Sequence, residues 1–414
     1  MAGSGADAHR TGSYAMVSIV TFAMFFMFGM TTDAVGEIIR LARGELNLSN
    51  TQASAFHWAT MSAIALSGLF LGFLADRLGH KQTIILGLSI YGVASILFFA
   101  GKSFPVYVGL LFVTGLAIGI FKTAALALIG DISSSTEDHT KKMNAVEGFF
   151  GVGAIVGPAL VVTLDHNGLS WRWLYLFAAA LCAVMIAAAL LTAYPDAARS
   201  EKPKGNLGRS IGMLTNPYAL GFSFGIAMYV ACEVAVFVWL PTFLEGFEGA
   251  GAAAFFAAYA VMIFFVLRAA GRFLGVFILD RFDWKLVMLV FTGLIFTCFC
   301  LSVVGGRNVA VFLLPLSGLF MSMIYPTLNS KGISCFPKHD HGAIAGLILF
   351  FTAVSAALSP LAMALASDAF GDGDMRIGFL LATAFAGLLF AAAIANRIFD
   401  PAKRALAAAN ESDY

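Results

Sequence analysis

The sequence predicts an all-α integral membrane protein, with twelve transmembrane helices in two pseudo-symmetric six-helix bundles. Three observations carry that expectation. The 414 residues are 60% hydrophobic and only 12% charged, against about 25% charged in a typical soluble domain. Apolar stretches long enough to cross a hydrocarbon core of about 30 Å recur along the whole chain. A decorated polar turn, Gly72-Phe-Leu-Ala-Asp76-Arg77-Leu-Gly79-His-Lys81, has a degraded copy at Gly275-Val-Phe-Ile-Leu-Asp280-Arg281-Phe-Asp-Trp-Lys285. Asp76 and Asp280 stand 204 positions apart, half the chain, as a duplicated six-helix unit requires.

The expected spans are 15–40, 52–75, 83–101, 105–130, 143–164 and 171–193, then 217–244, 253–279, 285–304, 309–333, 342–367 and 376–398. Residues 1–194 form the first bundle, 195–216 a polar linker and 217–414 the second bundle. Twelve crossings place both termini on one side. The loops on that side carry fifteen Lys and Arg, those on the other six, so the termini, the decorated turns and the linker are expected to be cytoplasmic. The inner membrane is the expected location. The polar leader Met1–Ser13 has no small-residue cleavage site, and the first apolar segment is expected to stay in place.

The composition also excludes functions. A net charge of +1 and the lack of a long basic run argue against nucleic-acid binding. The five cysteines stand in apolar surroundings without metal-ligand spacing, and read as small buried hydrophobes. No nucleophile and base come together in any loop. Neither enzyme activity, metal nor cofactor is expected, and a monomer is the expected state.

Charges inside spans mark function, because each costs a few kcal/mol, roughly, at the bilayer centre. They are Asp33 and Glu37 in span one, Lys122 in span four, Glu147 in span five, Glu233 in span seven, Arg268 and Arg272 in span eight, and Lys331 late in span ten. Asp33, Glu37 and Glu147 are the candidate partners of Lys122. A carboxylate that alternates between such a lysine and a proton couples solute to H+, so Glu37, Asp33, Lys122 and Glu147 are assigned to proton coupling; the alternative is a static ion pair. Lys122, Asn144, Glu233, Trp239, Arg268, Tyr325 and Asn329 are the candidate solute-binding residues, since amides and phenols hydrogen-bond hydroxyls and aromatic rings stack on sugar faces. Arg272 is assigned to the second decorated turn, and Lys331 snorkels towards water.

The first decorated turn resembles the signature loop of the major facilitator superfamily, Gly-x-Leu-Ala-Asp-Arg-x-Gly-x-Lys, between its second and third helices. The resemblance implies the major facilitator fold and alternating access to a site at the midplane. It implies a conformational latch built from Gly72, Asp76, Arg77, Lys81, Asp131, Asp280 and Arg281. Asp76 would sit at a helix N-terminus near His341-Gly342 and Arg77 would reach Asp131.

Within that superfamily, several stretches resemble the fucose-permease-like sugar:H+ symporters. They are Gly36-Glu37 through Gln52-Ala53, Gly119-Ile-Phe-Lys122-Thr123-Ala124-Ala125, Asn144 through Ile155, and Tyr325-Pro326-Thr327. The resemblance implies that Glu37 is the span-one carboxylate of proton coupling and sugar binding. It also exposes a departure, because the span-four acid of that family is Lys122 here. The expected solute is therefore a monosaccharide or related small polar molecule carried with H+, with an organic anion or sugar acid held by Lys122 and Arg268 as the alternative. Efflux is a third reading, supported by the glycine-proline ending of span five. A non-transporting sensor on the same fold would need a signalling domain that the sequence does not show.

Overall fold

The structure is a computed structural model that describes residues 3–71, 74–133, 136–192, 194, 212–336 and 341–403. All secondary structure among them is helical. Among the described residues, ten helices or continuous helix pairs are long and apolar enough to cross a membrane. Two expected spans fall short of that measure. One has only the sixteen residues Ala55–Phe70 before Gly72 and Phe73, which lie outside the described residues, and the other opens on His80-Lys81-Gln82.

The chain divides into two units. Unit 1 (1–47 and 55–201) holds α1 (Gly3–Thr32), α2 (Val35–Leu46), α4 (Ala55–Phe70), α5 (Leu74–Leu78), α6 (His80–Leu97), α7 (Phe104–Asp131), α8 (Thr136–His166) and α9 (Trp173–Leu191). Unit 2 (48–54 and 202–414) holds the short α3 (Asn50–Ala53), α10 (Pro217–Phe243), α11 (Ala252–Ala258), α12 (Ala260–Arg281), α13 (Trp284–Gly305), α14 (Arg307–Met321), α15 (Ile324–Ser334), α16 (His341–Phe370) and α17 (Met375–Phe399). The boundary at 201/202 falls in the polar linker; residues 195–211 lie outside the described residues.

The same pairings recur in each unit. In unit 1, α1 packs on α8, α4 on α7, and α6 on α7 and α9; in unit 2, α10 packs on α16, α12 on α14, and α13 on α14 and α17. First with fifth, second with fourth, and third with fourth and sixth is the pattern a duplicated six-helix bundle produces.

Small residues permit the closest of these contacts. A Cβ at Gly153 or Gly157 of α8 would strike the carbonyl oxygens of Phe26 and Met30 on α1, and one at Gly29 would strike that of Phe150. In hydrocarbon, where burying apolar surface gives no advantage over lipid, such backbone-to-backbone packing holds helices together. At the end of this seam the chain breaks helix at 33–34 and restarts as α2.

The same end of unit 1 is tied further by aromatics and by the ion pair of Arg172 with Glu45. Phe98 stacks on Tyr175 with ring centroids 3.8 Å apart, and Trp171 packs edge-on against Tyr107 at 5.4 Å. Arg172 covers the Trp171 ring at 4.7 Å and reaches Glu45 of α2, Nη2 to Oε1 2.6 Å. In unit 2, α3 opens with a capping box between Ser49 and Gln52. Asp368 accepts the backbone N–H of Asn50 (3.3 Å) and of Thr51 (2.7 Å), and the Asn50 amide donates to Ser367 Oγ (3.0 Å) and the Gly373 carbonyl (2.9 Å).

Two outcomes are expected. Gly157→Val forces α1 and α8 apart and costs about 3 kcal/mol or more, seen as a collapse of the melting temperature. Gly148→Ala, where a Cβ meets nothing within 4 Å, leaves stability unchanged or raises it by up to ~1 kcal/mol. The second concerns pH. Its hydrogen bond with Arg172 holds the Glu45 carboxyl below the usual carboxylate range. A depressed folded-state pKa gives stability that is present above the unfolded value of about 4.3 and is lost as pH falls through the folded value. Melting curves of Glu45→Gln and the unmodified protein therefore differ at pH 7 and converge as pH falls through the folded value.

Candidate functional site

The decorated turn is short helix, glycine, helix. Gly79, between α5 and α6, has φ +82° and ψ 159°, a backbone region essentially restricted to glycine. That turn launches α6 with His80 and Lys81 aimed into unit 1. His80 Nε2 lies 2.8 Å from Asp131 Oδ2 at the end of α7, a partner the sequence did not reveal for this aspartate. Lys81 Nζ donates to the carbonyls of Leu190 (3.0 Å) and Thr192 (2.9 Å), capping the C-terminus of α9, where unsatisfied carbonyls and the helix dipole both favour a cation. Arg77 is exposed. Gly72 and the side chain of Asp76 lie outside the described residues, as does that of His341.

The degraded copy behaves in parallel. Asp283 caps α13 by accepting the backbone N–H of Lys285 and Leu286. Lys285 Nζ pairs with Asp400, the residue that ends α17. Each turn therefore puts its lysine, 204 positions apart, on the C-terminal end of the last long helix of its own unit. Asp280 and Arg281 are exposed.

Unit 1 gathers one cluster of charges. Glu37 in α2 is only 4% exposed and its Oε2 accepts from Arg40 Nε at 3.3 Å; Arg40 Nη2 reaches Asp165 of α8 at 2.9 Å. Glu37 is thus engaged by Arg40, three residues on, and not by Lys122. Arg40 and Asp165 are members of the cluster that sequence reading missed, although the i,i+3 spacing of Glu37 and Arg40 on one helix was a visible signal. Asp33 is buried beside Thr32, whose hydroxyl lies 3.3 Å from its Oδ1. Lys122, half-buried in α7, places Nζ 4.7 Å from the centroid of the Phe28 ring and 5.9 Å from that of Phe25. Its electrostatic partners are Glu147 and Asp33. An ammonium over aromatic faces is held by the ring quadrupole and stays available to a further anion. Asn144 and Glu147 are exposed, one turn apart on α8.

Unit 2 gathers a second cluster. Glu233 of α10, 8% exposed, pairs with Arg268 of α12, Oε1 to Nη2 2.5 Å. Tyr229, one turn earlier on α10, lies within the electrostatic reach of Glu233, Arg268 and Arg272. Arg272 therefore acts on this cluster, although its position near Asp280 suggested the turn alone. The Tyr229 ring lies 6.1 Å from that of Tyr325 on α15, and Asn329 follows Tyr325 by one turn, both half-buried. Trp239 is fully buried, and its indole N–H donates to the Pro360 carbonyl at 3.0 Å, which packs α10 against α16. Tyr229 is the member missed from sequence, where nothing distinguishes a buried tyrosine with an acid partner from a packing aromatic. Lys331 lies over the Trp284 ring at 6.0 Å.

Each unit thus carries a partly buried set of acids, bases and phenols on its long helices. Comparison with known proteins gives such sets a context. A glucose/galactose transporter of Brucella abortus is 25% identical over 390 residues, covering 91% of this chain and 92% of that protein. The L-fucose-proton symporter of Escherichia coli is 22% identical, with 88% and 90% covered. Among solved structures, the nucleoside transporter NupG superposes with a TM-score of 0.73 at 15% identity, covering 92% of this chain and 98% of that one. FucP in its outward conformation gives 0.60 at 20% identity, covering 92% and 98%. The family model of the Major Facilitator Superfamily matches residues 15–360. The chain belongs to the Major Facilitator Superfamily.

Proposed function

We propose that this chain is a twelve-helix secondary transporter of the inner membrane, with both termini cytoplasmic, that carries a monosaccharide together with H+ by alternating access. In this reading the two helices below the apolar threshold, α4 and α6, also cross. The observation that carries the solute reading is the Glu233–Arg268 pair with Tyr229 and Tyr325 beside it. Charge-assisted donors and acceptors alongside aromatic faces are the groups that recognise a polyhydroxylated ring. The names of the glucose/galactose and L-fucose-proton relatives support the same class.

Proton coupling is assigned to Glu37. A buried carboxylate that shares one guanidinium with Asp165 exchanges partners when it takes up a proton, which links protonation to the geometry of α2 against α8. Lys122 supports a second reading, an anionic solute such as a sugar acid, because its ammonium rests on the Phe28 and Phe25 rings. The decorated turns serve as latches of the alternating cycle.

Transport in proteoliposomes tests these roles. The expected result is uptake of a neutral hexose driven by an acid exterior and abolished by a protonophore. Glu37→Gln keeps solute exchange at equal pH on both sides and loses at least tenfold in pH-driven accumulation. Lys122→Ala leaves hexose uptake within about threefold; uptake of sugar acids only, lost in Lys122→Ala, moves the anion reading to first place. For the latch, cysteine accessibility on the two sides of Asp76→Asn is expected to shift towards the cytoplasmic-open state, and an unchanged ratio removes Asp76 from that role.

A further inference from the structure

Unit 2 contains a cavity of about 540 Å³ that none of these roles uses. It lies among α10, α13, α15 and α17, with Phe222, Met288, Leu328, Leu389 and Phe399 in its wall. Glu233 stands two turns further along α10 from its innermost glycine, Gly225. The wall offers water little. Thr292, one of the few polar residues in it, directs its hydroxyl to the Met288 carbonyl at 2.7 Å, and the remaining polar side chains, Tyr218 and Asn396, stand towards the ends of their helices. An apolar cavity of about 150 Å³ already stays dry and takes up benzene, and this one is more than three times that size. Gly221 faces its open space, since a Cβ there would meet nothing within 4 Å.

The cavity runs to the first turn of α10 at Pro217 and to the end of α17 at Pro401 and Ala402, and among the described residues no charged one lines it. Beyond the lining, at this end of the same helices and their caps, Lys285 pairs with Asp400 and Arg397 with Asp283, which leaves Lys331 and Lys403 as an excess of positive charge. An apolar interior with a cationic mouth, in a protein whose surroundings are lipid, fits one ligand chemistry. We propose that this cavity takes an acyl chain of an anionic phospholipid, with the headgroup phosphate at the basic rim. Phospholipid is favoured over free fatty acid because it is the amphiphile already at the surface of a membrane-spanning chain, and cations at a membrane edge attract anionic headgroups. The proposal is independent of which solute is carried.

The test uses the full-length protein in nanodiscs containing phosphatidylglycerol with a photoreactive diazirine near the acyl terminus, with labelled peptides mapped by mass spectrometry. Labelling is expected to concentrate on 217–225 and 389–402, above that on the exposed face of α12 around Phe273 and Phe277. Gly221→Leu, and separately Ala393→Leu, are expected to lower it at least tenfold while the α12 label and the melting temperature persist. Two variants on different helices guard against one failing to fold. Unlabelled phosphatidylglycerol should compete and phosphatidylcholine should not. Labelling no denser than on α12, labelling unchanged in both variants, competition by phosphatidylcholine, or competition by palmitate alone would each overturn the proposal. A rise in labelling after deletion of residues 404–414 would also overturn it, by naming the chain's own end as the occupant.

Discussion

The contact on which the rest of unit 1 depends is the backbone approach of α1 to α8. Gly153 and Gly157 lie against the Phe26 and Met30 carbonyls, and nothing larger than hydrogen fits there. In lipid there is no hydrophobic force to press two apolar helices together, so contact area and close approach must do it. Once the helices touch, the break at 33–34 falls where Glu37 and Arg40 can meet Asp165 at the far end of α8. The same seam sets Phe28 beneath the Lys122 ammonium. Charges that would be prohibitive in hydrocarbon become tolerable because the packing supplies each with a partner.

The equivalent lysine of each unit anchors the end of its last long helix. A helix that ends at the membrane edge leaves carbonyls unsatisfied. Lys81 meets this at the end of α9 by donating to two of them, while Lys285 holds the end of α17 by pairing with the Asp400 carboxylate. The decorated turns are therefore structural staples within their own units as well as candidates for a latch. Asp131, held by His80, belongs to that local framework.

The two polar clusters differ in character. In unit 2 a carboxylate and a guanidinium neutralise each other beside phenols, an arrangement suited to neutral hydroxylated solutes. In unit 1 one guanidinium serves two carboxylates while a lysine rests on aromatic rings, the arrangement to which the proposal assigns coupling.

By itself the sequence determined the class, the repeat and the membership of a transporter superfamily. Hydropathy and the spacing of the decorated turns are one-dimensional properties, and hydrocarbon leaves few folds that satisfy every backbone group. It also singled out the ionisable residues inside spans, since any such residue is conspicuous in hydrocarbon. Which charges meet was decided by tertiary structure alone. Asp33, Glu37 and Glu147 are all candidates for Lys122 in the sequence, and the fold sets Glu37 against Arg40 and buries Trp239 completely. Partner choice depends on helix rotation and on where each helix ends, and a few degrees or one residue changes both. The cavity of unit 2 had no sequence signal, because a void is a property of four helices at once and is written in no one of them.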